Sequence, residues 1–390
     1  MKMMFYLREY RKYIIILPLI LCLTVLSSCS DISVQTDYFI VMDTLIESTV
    51  ISKKAETGKE VNEKIQEICE EIEGRISKTV ETSEIYKLND YIRIIDHTLV
   101  WELSQETAEI LQTADFIRKE TNGAFNPSLG DIIDLWGLSN QDEDFERKLP
   151  EKDDFYRALE FMQTSRYEII QDNGIYYLHS DMLSRTKFDL GAIGKGYALD
   201  KISDYLIDAG IPNALVSFTS SILAAGRNRI GNLWSVALKD PFFPDDPEKA
   251  CGYISASDKF ISVSGGYERF ATIDGIDYCH IIDPETGYPV DNDLLCAVVV
   301  MNAPSALQSK ESRDKLKNNG AVSDALSTAL YVMGKEKALK FYNSTSLDFE
   351  MILFVEADND KGYDIIPTNV IFTEIEETTE NERLMPKLDY

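Results

Sequence analysis

Residues Lys259–Met301 read KFISVSGGYERFATIDGIDYCHIIDPETGYPVDNDLLCAVVVM, and their pattern decides the fold class. KFISVSG, YCHII and LLCAVVVM are rich in β-branched and aromatic residues and read as strands. Asp274-Gly275 is a hairpin signal, and Asp283-Pro284-Glu285-Thr286-Gly287 is turn chemistry. Toward the N-terminus, ALVSF (214–218) and WSVAL (234–238) add strands, and YEIIQDNGIYYLH (167–179) reads as a hairpin around Asn173-Gly174. YFIVMDTLIESTVIS (38–52) is a further strand or hairpin. Helices interrupt this pattern at Ile193–Ala209, at Ser323–Met333 and, after it, in a short piece at Lys335–Tyr342. Earlier in the chain, Val61, Ile65, Ile68, Ile72 and Ile76 recur at helical spacing and predict a helix over Glu60–Ser77. A second helix is expected over Glu102–Glu120, ended by Asn122-Gly123. Strand-rich runs with irregularly placed helices, and no regular βαβ alternation or internal repeat, predict an α+β fold with mixed β-sheets flanked by helices.

Composition sets the outer bounds. A chain of 390 residues with 44% apolar and 10% aromatic content buries one large core or two modest ones. Its 39 Lys+Arg against 66 Asp+Glu give a formal charge of −27, which excludes nucleic acid as a partner and leaves room only for a local basic pocket. His97, His179 and His280 are the only histidines, and their spacing argues against a His-rich zinc site.

The first residues, MKMMFYLREYRKYIIILPLILCLTVLSSCS, place Lys2, Arg8, Arg11 and Lys12 before an apolar run too short for a comfortable span. This is a signal-peptide shape. Leu26-Ser27-Ser28-Cys29 resembles a bacterial lipobox, in which Cys29 is lipidated and becomes the first mature residue; an uncleaved anchor helix is the alternative. The expected organisation is a signal at 1–28, a lipid anchor and tether at 29–37, one catalytic domain at 38–372 and a charged tail at 373–390. That places the body on the extracytoplasmic face of the cell membrane. The remaining cysteines, Cys69, Cys251, Cys279 and Cys296, form no close pair, so one bridge or buried thiols both stay open.

Three segments carry candidate chemistry. FDLGAIGKGYALDKISDYL (188–206) sets Asp189, Gly191, Gly194, Lys195 and Gly196 just before an amphipathic helix, which suits a phosphate but equally suits a tight turn with glycines packed against a sheet. Ser323-Asp324 opens SDALSTALYVMG with Thr328 four residues on, so carboxylate and hydroxyl share a face and suit a hard cation such as Mg²⁺; an ordinary first-turn aspartate with Thr328 in the core is the alternative. His280 reads either as a general base or as a hydrogen-bonded strand residue. Arg269, beside Tyr267, fits a phosphate or a surface salt bridge.

In order, Met42-Asp43-Thr44, TNGAFNPSLGDIIDLWG (121–137), DLGAIGKGYALD, SGGYERF, HIIDPETGYPV and SDALSTALYVMG resemble the bacterial FAD:protein FMN transferase family, also called ApbE, over nearly the whole chain after the tether. The resemblance implies an α+β, Mg²⁺-dependent enzyme. It would move FMN from FAD onto a Thr or Ser hydroxyl of a protein bearing a Ser/Thr-Gly-Ala-Ser/Thr type sequence, releasing AMP. By matching position it implies that Met42, Ala124, Phe125, Asn126, Asp189 and Lys195 contact FAD. It also implies that the Ala192 carbonyl, Asp324 and Thr328 hold the metal, that His280 lies by the pyrophosphate, and that Tyr267 and Arg269 help hold the nucleotide. Departures accompany the matches. Thr219-Ser220-Ser221 stand where two glycines and a polar residue are common, Asn126 where aspartate is, and Asp43 where glycine is, at what would be a close-approach position. Two rivals use the same residues: a Mg²⁺-dependent FAD pyrophosphatase with water as nucleophile, and a flavin-binding lipoprotein without turnover.

Overall fold

The computed structural model describes residues 32–92, 99–138, 147–180, 187–244, 246, 249–267, 270–359 and 361–375. The signal, Cys29, His97, Arg269 and the tail beyond 375 lie outside the described residues. The chain order is β1 (Ser33–Val41), β2 (Thr44–Ser52), α1 (Ala55–Ile76), α2 (Glu84–Ile92), β3 (Leu99–Leu103), α3 (Gln105–Glu120), α4 (Gly130–Trp136), α5 (Lys152–Thr164), β4 (Tyr167–Asp172) and β5 (Ile175–Ser180). It continues with α6 (Gly191–Asp208), β6 (Asn213–Ser217), β7 (Ser221–Ala225), β8 (Trp234–Lys239), β9 (Ala250–Ala256), β10 (Lys259–Gly265), β11 (Phe270–Ile273), β12 (Ile276–Cys279) and β13 (Leu294–Asn302). Last come α7 (Lys310–Asp314), α8 (Asn319–Ser344), β14 (Glu350–Glu356), β15 (Tyr363–Pro367) and β16 (Phe372–Glu374).

Among the described residues an eight-stranded sheet runs β1-β2-β6-β7-β10-β13-β14-β15, with smaller sheets β16-β9-β8, β3-β5-β4 and β11-β12. The α+β class holds. The mixed sheets expected from the sequence resolve to antiparallel ones, for every pairing between described strands is antiparallel. The physical reason is that the long helices pack on one face of the large sheet and do not serve as crossovers between parallel neighbours.

Local chemistry makes the hairpins. Met42 and Asp43 take φ of 56° and 54°, Asn173 and Gly174 take 51° and 85°, and Asp274 and Gly275 take 53° and 81°. Two positive φ values in a two-residue loop are the type I′ turn, whose twist matches that of the strands. Asp43 is exposed, so the preference for glycine there reflects the left-handed backbone, which aspartate tolerates, and not a close approach. The isoleucine stripe of α1 is buried as expected, from Val61 through Ile76.

The large sheet separates two cores. In β13, Ala297, Val299 and Met301 face the helices, whereas Cys296, Val298 and Val300 face the β8–β9 sheet. A register shift between Leu294 and Cys296 puts Leu294 back on the helical side. A third cluster, built on Trp136, Phe155, Met162, Ile273 and Ile282, holds α4 and α5 against the β11–β12 hairpin. The cysteines at 69, 251, 279 and 296 are free thiols.

Several boundaries depart from the sequence reading: α1 begins at Ala55, not Glu60, and α6 at Gly191, not Ile193. α3 begins at Gln105, not Glu102, because Leu99–Leu103 pairs with β5 and Ser104 caps the helix through Thr107 N at 3.2 Å. β12 stops at Cys279, so His280 is not a strand residue; Ile282 makes only an isolated bridge with Pro289. α8 begins at Asn319, not Ser323, and a break at Gly334 (φ 71°, ψ 171°) divides it into the two helical pieces expected.

Candidate active site

Two helices touch backbone to backbone at the centre of the molecule. A Cβ on Gly196 of α6 would lie 2.1 Å from the carbonyl oxygen of Gly320 of α8, and one on Gly320 would lie 2.4 Å from that of Gly196. No other residue type allows this approach. Asp200, one turn along α6, accepts hydrogen bonds from the amides of Gly320 and Ala321, both at 2.8 Å. A remote side chain thereby satisfies the first amides of α8. Burial pushes the Asp200 carboxyl up to about 8, against the pull of the Ala321 and Gly320 amides.

This crossing places Asp324 in the second turn of α8, not the first, which corrects the reading of Ser323-Asp324 as a helix opening. Asp324 is only 4% exposed. Ser221 Oγ donates to its Oδ1 at 2.9 Å and the Gly196 amide to its Oδ2 at 2.9 Å. The helical partner of the Ala192 carbonyl is that same Gly196 amide, four residues on, so Asp324 competes for it and leaves the carbonyl with lone-pair capacity. Thr328, one turn further, is half-buried and sits 3.1 Å from Ser264 Oγ.

Carbonyl, carboxylate and hydroxyl form an all-oxygen set on two helices locked together. Among the described residues Asp324 is met by neutral donors and by no Lys, Arg or His. A buried carboxylate in that state is one that a cation would compensate. The chemistry of the set suits a hard divalent ion that keeps waters and shares substrate phosphates, so the residues fit Mg²⁺.

The first turn of α6 is also where the flavin-side candidates gather. A Cβ on Gly194 would lie 3.3 Å from Met42 Cε and 2.6 Å from Ile76 Cδ1, so the Met42 side chain rests on that turn. Gly194 and Gly196 thus pack against helices and Met42, not against a sheet as the tight-turn alternative had it. Lys195 is half-buried beside them. Asp189 caps the turn, its Oδ1 accepting the Gly191 amide at 2.8 Å, while Lys78 Nζ lies 2.9 Å from its Oδ2. Lys78 also reaches Asp134 at 3.0 Å, and Lys187 pairs with Asp134 at 2.7 Å. Burial would lower the Lys78 pKa, but the carboxylates of Asp189 and Asp134 outweigh it and raise it. Asp189 N donates to Pro127 O at 2.8 Å, which ties in the loop carrying Ala124, Phe125 and Asn126.

Phe125 is buried, and its amide donates to Thr121 Oγ1 at 3.2 Å. Asn126 turns its Oδ1 to Ser128 N at 3.0 Å and its Nδ2 to the Met162 sulfur. Ala124 and Asn126 line a cavity of about 630 Å³ together with Asp283, Pro284 and Glu285, the turn just after His280, and with Val332 and Met333 of α8, one turn past Thr328. That volume lies in the range of small-molecule sites. Arg118, Arg166, Lys337 and Lys340 rim it, a local basic set on an acidic chain. His280 is half-buried, and the half-buried Tyr267 lies against Gly265 at the end of β10.

Sequence reasoning missed Lys78 and Asp200, and it took Ser221 as a mere departure. Thr219 adopts φ 68°, a left-handed value that favours glycine, while Ser220 and Ser221 are buried and Ser221 points at Asp324. The one available signal was the S-V-S of β10, which puts polar residues at the inward phase of a strand.

Comparison with known proteins identifies the family and the fold. Residues 42–353 match the ApbE family. The FAD:protein FMN transferase of Escherichia coli K12 is 28% identical over 311 residues, covering 80% of this chain and 82% of its own. That of Treponema pallidum is 31% identical over 241 residues, covering 59% and 60%. Among solved structures, the ApbE protein of Thermotoga maritima superposes with a TM-score of 0.69 at 26% identity, over 86% of this chain and 97% of its own. Flavin transferase ApbE from Vibrio cholerae gives 0.67 at 22% identity, over 87% and 98%.

Proposed function

The chain belongs to the ApbE family, and from that premise we propose that it is an FAD:protein FMN transferase, using Mg²⁺ to move FMN from FAD onto a Thr or Ser hydroxyl of an extracytoplasmic protein and releasing AMP. The observation that carries the reading is Asp324: a carboxylate buried at the helix crossing, held by two neutral donors, with the Ala192 carbonyl and the Thr328 hydroxyl on the same two helices. The lipobox-like Leu26–Cys29 supports a lipid anchor, and the Ser/Thr-Gly-Ala-Ser/Thr type sequence is the proposed acceptor.

In the reaction, the acceptor oxygen attacks the FMN phosphorus of the pyrophosphate, the P–O bond to the adenylate breaks, and AMP leaves with the bridging oxygen. A bound Mg²⁺ supplies charge neutralisation on the phosphates and the leaving AMP. Asp324, Thr328 and the Ala192 carbonyl would hold it. Lys195, entering the second turn of α6, adds a positive charge beside the phosphates, and Lys78 neutralises Asp189 so that this carboxylate does not repel them. Met42 and the Ala124–Asn126 loop orient the dinucleotide. His280, next to the turn that lines the cavity, takes the hydroxyl proton.

The test is incubation with FAD and Mg²⁺, with and without a protein carrying a Ser-Gly-Ala-Thr type sequence. Flavin fluorescence retained by the acceptor on a denaturing gel is expected, with matching AMP. Steady AMP without labelled acceptor would replace this reading with a pyrophosphatase, and FAD binding with neither product would replace it with a carrier. His280→Ala is expected to slow transfer about 10²- to 10⁴-fold at saturating FAD with affinity largely kept. Collapse of affinity with an unchanged saturated rate would make His280 a binding residue instead.

A further inference from the structure

We propose that Ser221 and Ser264 are positioning residues that aim the lone pairs of Asp324 and Thr328 at the cation and set how tightly it is held. The inference rests on the metal reading above and goes beyond it to residues that do not touch the ion.

The helix-facing positions of β7 and β10 begin as ordinary core, with Leu223 and Phe260 fully buried, and then turn polar at Ser221, Ser262 and Ser264. These hydroxyls are buried alongside Leu223 and Phe260, at 0%, 1% and 9% exposure. Packing α8 on these strands needs no hydroxyls, and a buried one must find a partner. Each finds it on α8. Ser221 bonds Asp324, Ser262 lies 2.9 Å from Ser323, and Ser264 lies 2.8 Å from Ser327 and 3.1 Å from Thr328.

The protons can be followed along this seam. Ser327 Oγ donates to the Asp324 carbonyl at 2.8 Å, which spends its only proton. Ser264 must then be the donor to Ser327. With its own proton spent, Ser264 can only accept from Thr328. The Thr328 O–H therefore points at Ser264, and its lone pairs face away, available to a cation. At Asp324, one donor on each oxygen fixes the plane of the carboxylate and leaves each oxygen an unused lone pair. Ser262 provides an internal control. Ser323 donates to the Gly320 carbonyl at 2.8 Å, so Ser262 donates to Ser323 and reaches neither ligand.

The test is Mn²⁺ titration of the full chain with FAD and no acceptor, with free Mn²⁺ read by electron paramagnetic resonance. Outer partners of metal ligands commonly carry about 10- to 100-fold in affinity, so Ser221→Ala and Ser264→Ala are each expected to weaken Mn²⁺ by roughly 10-fold or more, with Ser262→Ala unchanged. Ser221→Cys and Ser264→Cys keep the volume while weakening the hydrogen bond, and are expected to follow the alanines should those fail to fold. Unaltered affinity in the Ser221 and Ser264 variants, with binding lost in Asp324→Ala, would overturn the proposal. So would an equal loss in Ser262→Ala, which would make the seam merely structural. Unaltered Mn²⁺ binding in Asp324→Ala would instead remove the metal reading itself.

Discussion

Strands β7 and β10 present two different faces. Toward the β8–β9 sheet they offer Ile222, Ala224, Ile261 and Val263, a dry aliphatic surface. Toward α8 the same strands offer Ser221, Ser262 and Ser264. Alternation makes this possible, since successive residues point to opposite sides and each face can be chosen independently. The dry face supplies stability through area removed from water, whereas the polar face returns little net stability and fixes orientation. One pair of strands therefore separates holding the fold together from holding the site in shape.

Substitutions on the two faces should fail differently. Asp324→Ala, on the polar side, is expected to abolish Mg²⁺-dependent transfer and Mg²⁺-induced thermal stabilisation while far-UV dichroism stays native; retained turnover would erase the distinction between the faces. On the dry side, Ile261→Ala is expected to cost about 2–5 kcal/mol in urea unfolding while leaving the KM for FAD unchanged. A shift in that KM would show the faces to be coupled.

Asp200 sharpens the contrast through pH. Its folded pKa, about 8, lies above the ordinary 3.8, so the folded state holds the extra proton. The stability this contributes is fully present below about 3.8 and is lost as pH rises through about 8. Asp200→Asn is expected to flatten the fall in stability across that window, as read by urea unfolding at several pH values; an unchanged slope would assign the fall to other groups. The smallest effect is expected from Thr219→Gly, which relieves a left-handed β-branched residue and should raise stability by about 0.5–1 kcal/mol.

What could be read in the sequence was local. The isoleucine stripe of α1 and the Asn173-Gly174 and Asp274-Gly275 turns are each set by neighbours a few residues apart. The start of α8 was not, and the reason is physical. Ser323-Asp324 has the composition of a helix cap, but the amides that need capping are those of Gly320 and Ala321, and their acceptor is Asp200, more than a hundred residues earlier. The metal-ligand candidates could be placed by motif, yet the hydroxyls aligning them could not, because the S-V-S of β10 marks a polar face without saying which groups of the partner helix it meets. Lys78 was invisible for the same reason, its meaning residing in Asp189 and Asp134.

The contact between Gly196 and Gly320 bears on how this protein tolerates change over generations. Where side chains separate two helices, each exchange of leucine for valine or methionine resets the spacing slightly, and drift accumulates. Here the spacer is the peptide group itself, which mutation does not alter. The surrounding core can trade residues with little effect on the spacing between Ala192 and Asp324, so the dimension on which the proposed metal site rests is the one least open to neutral variation.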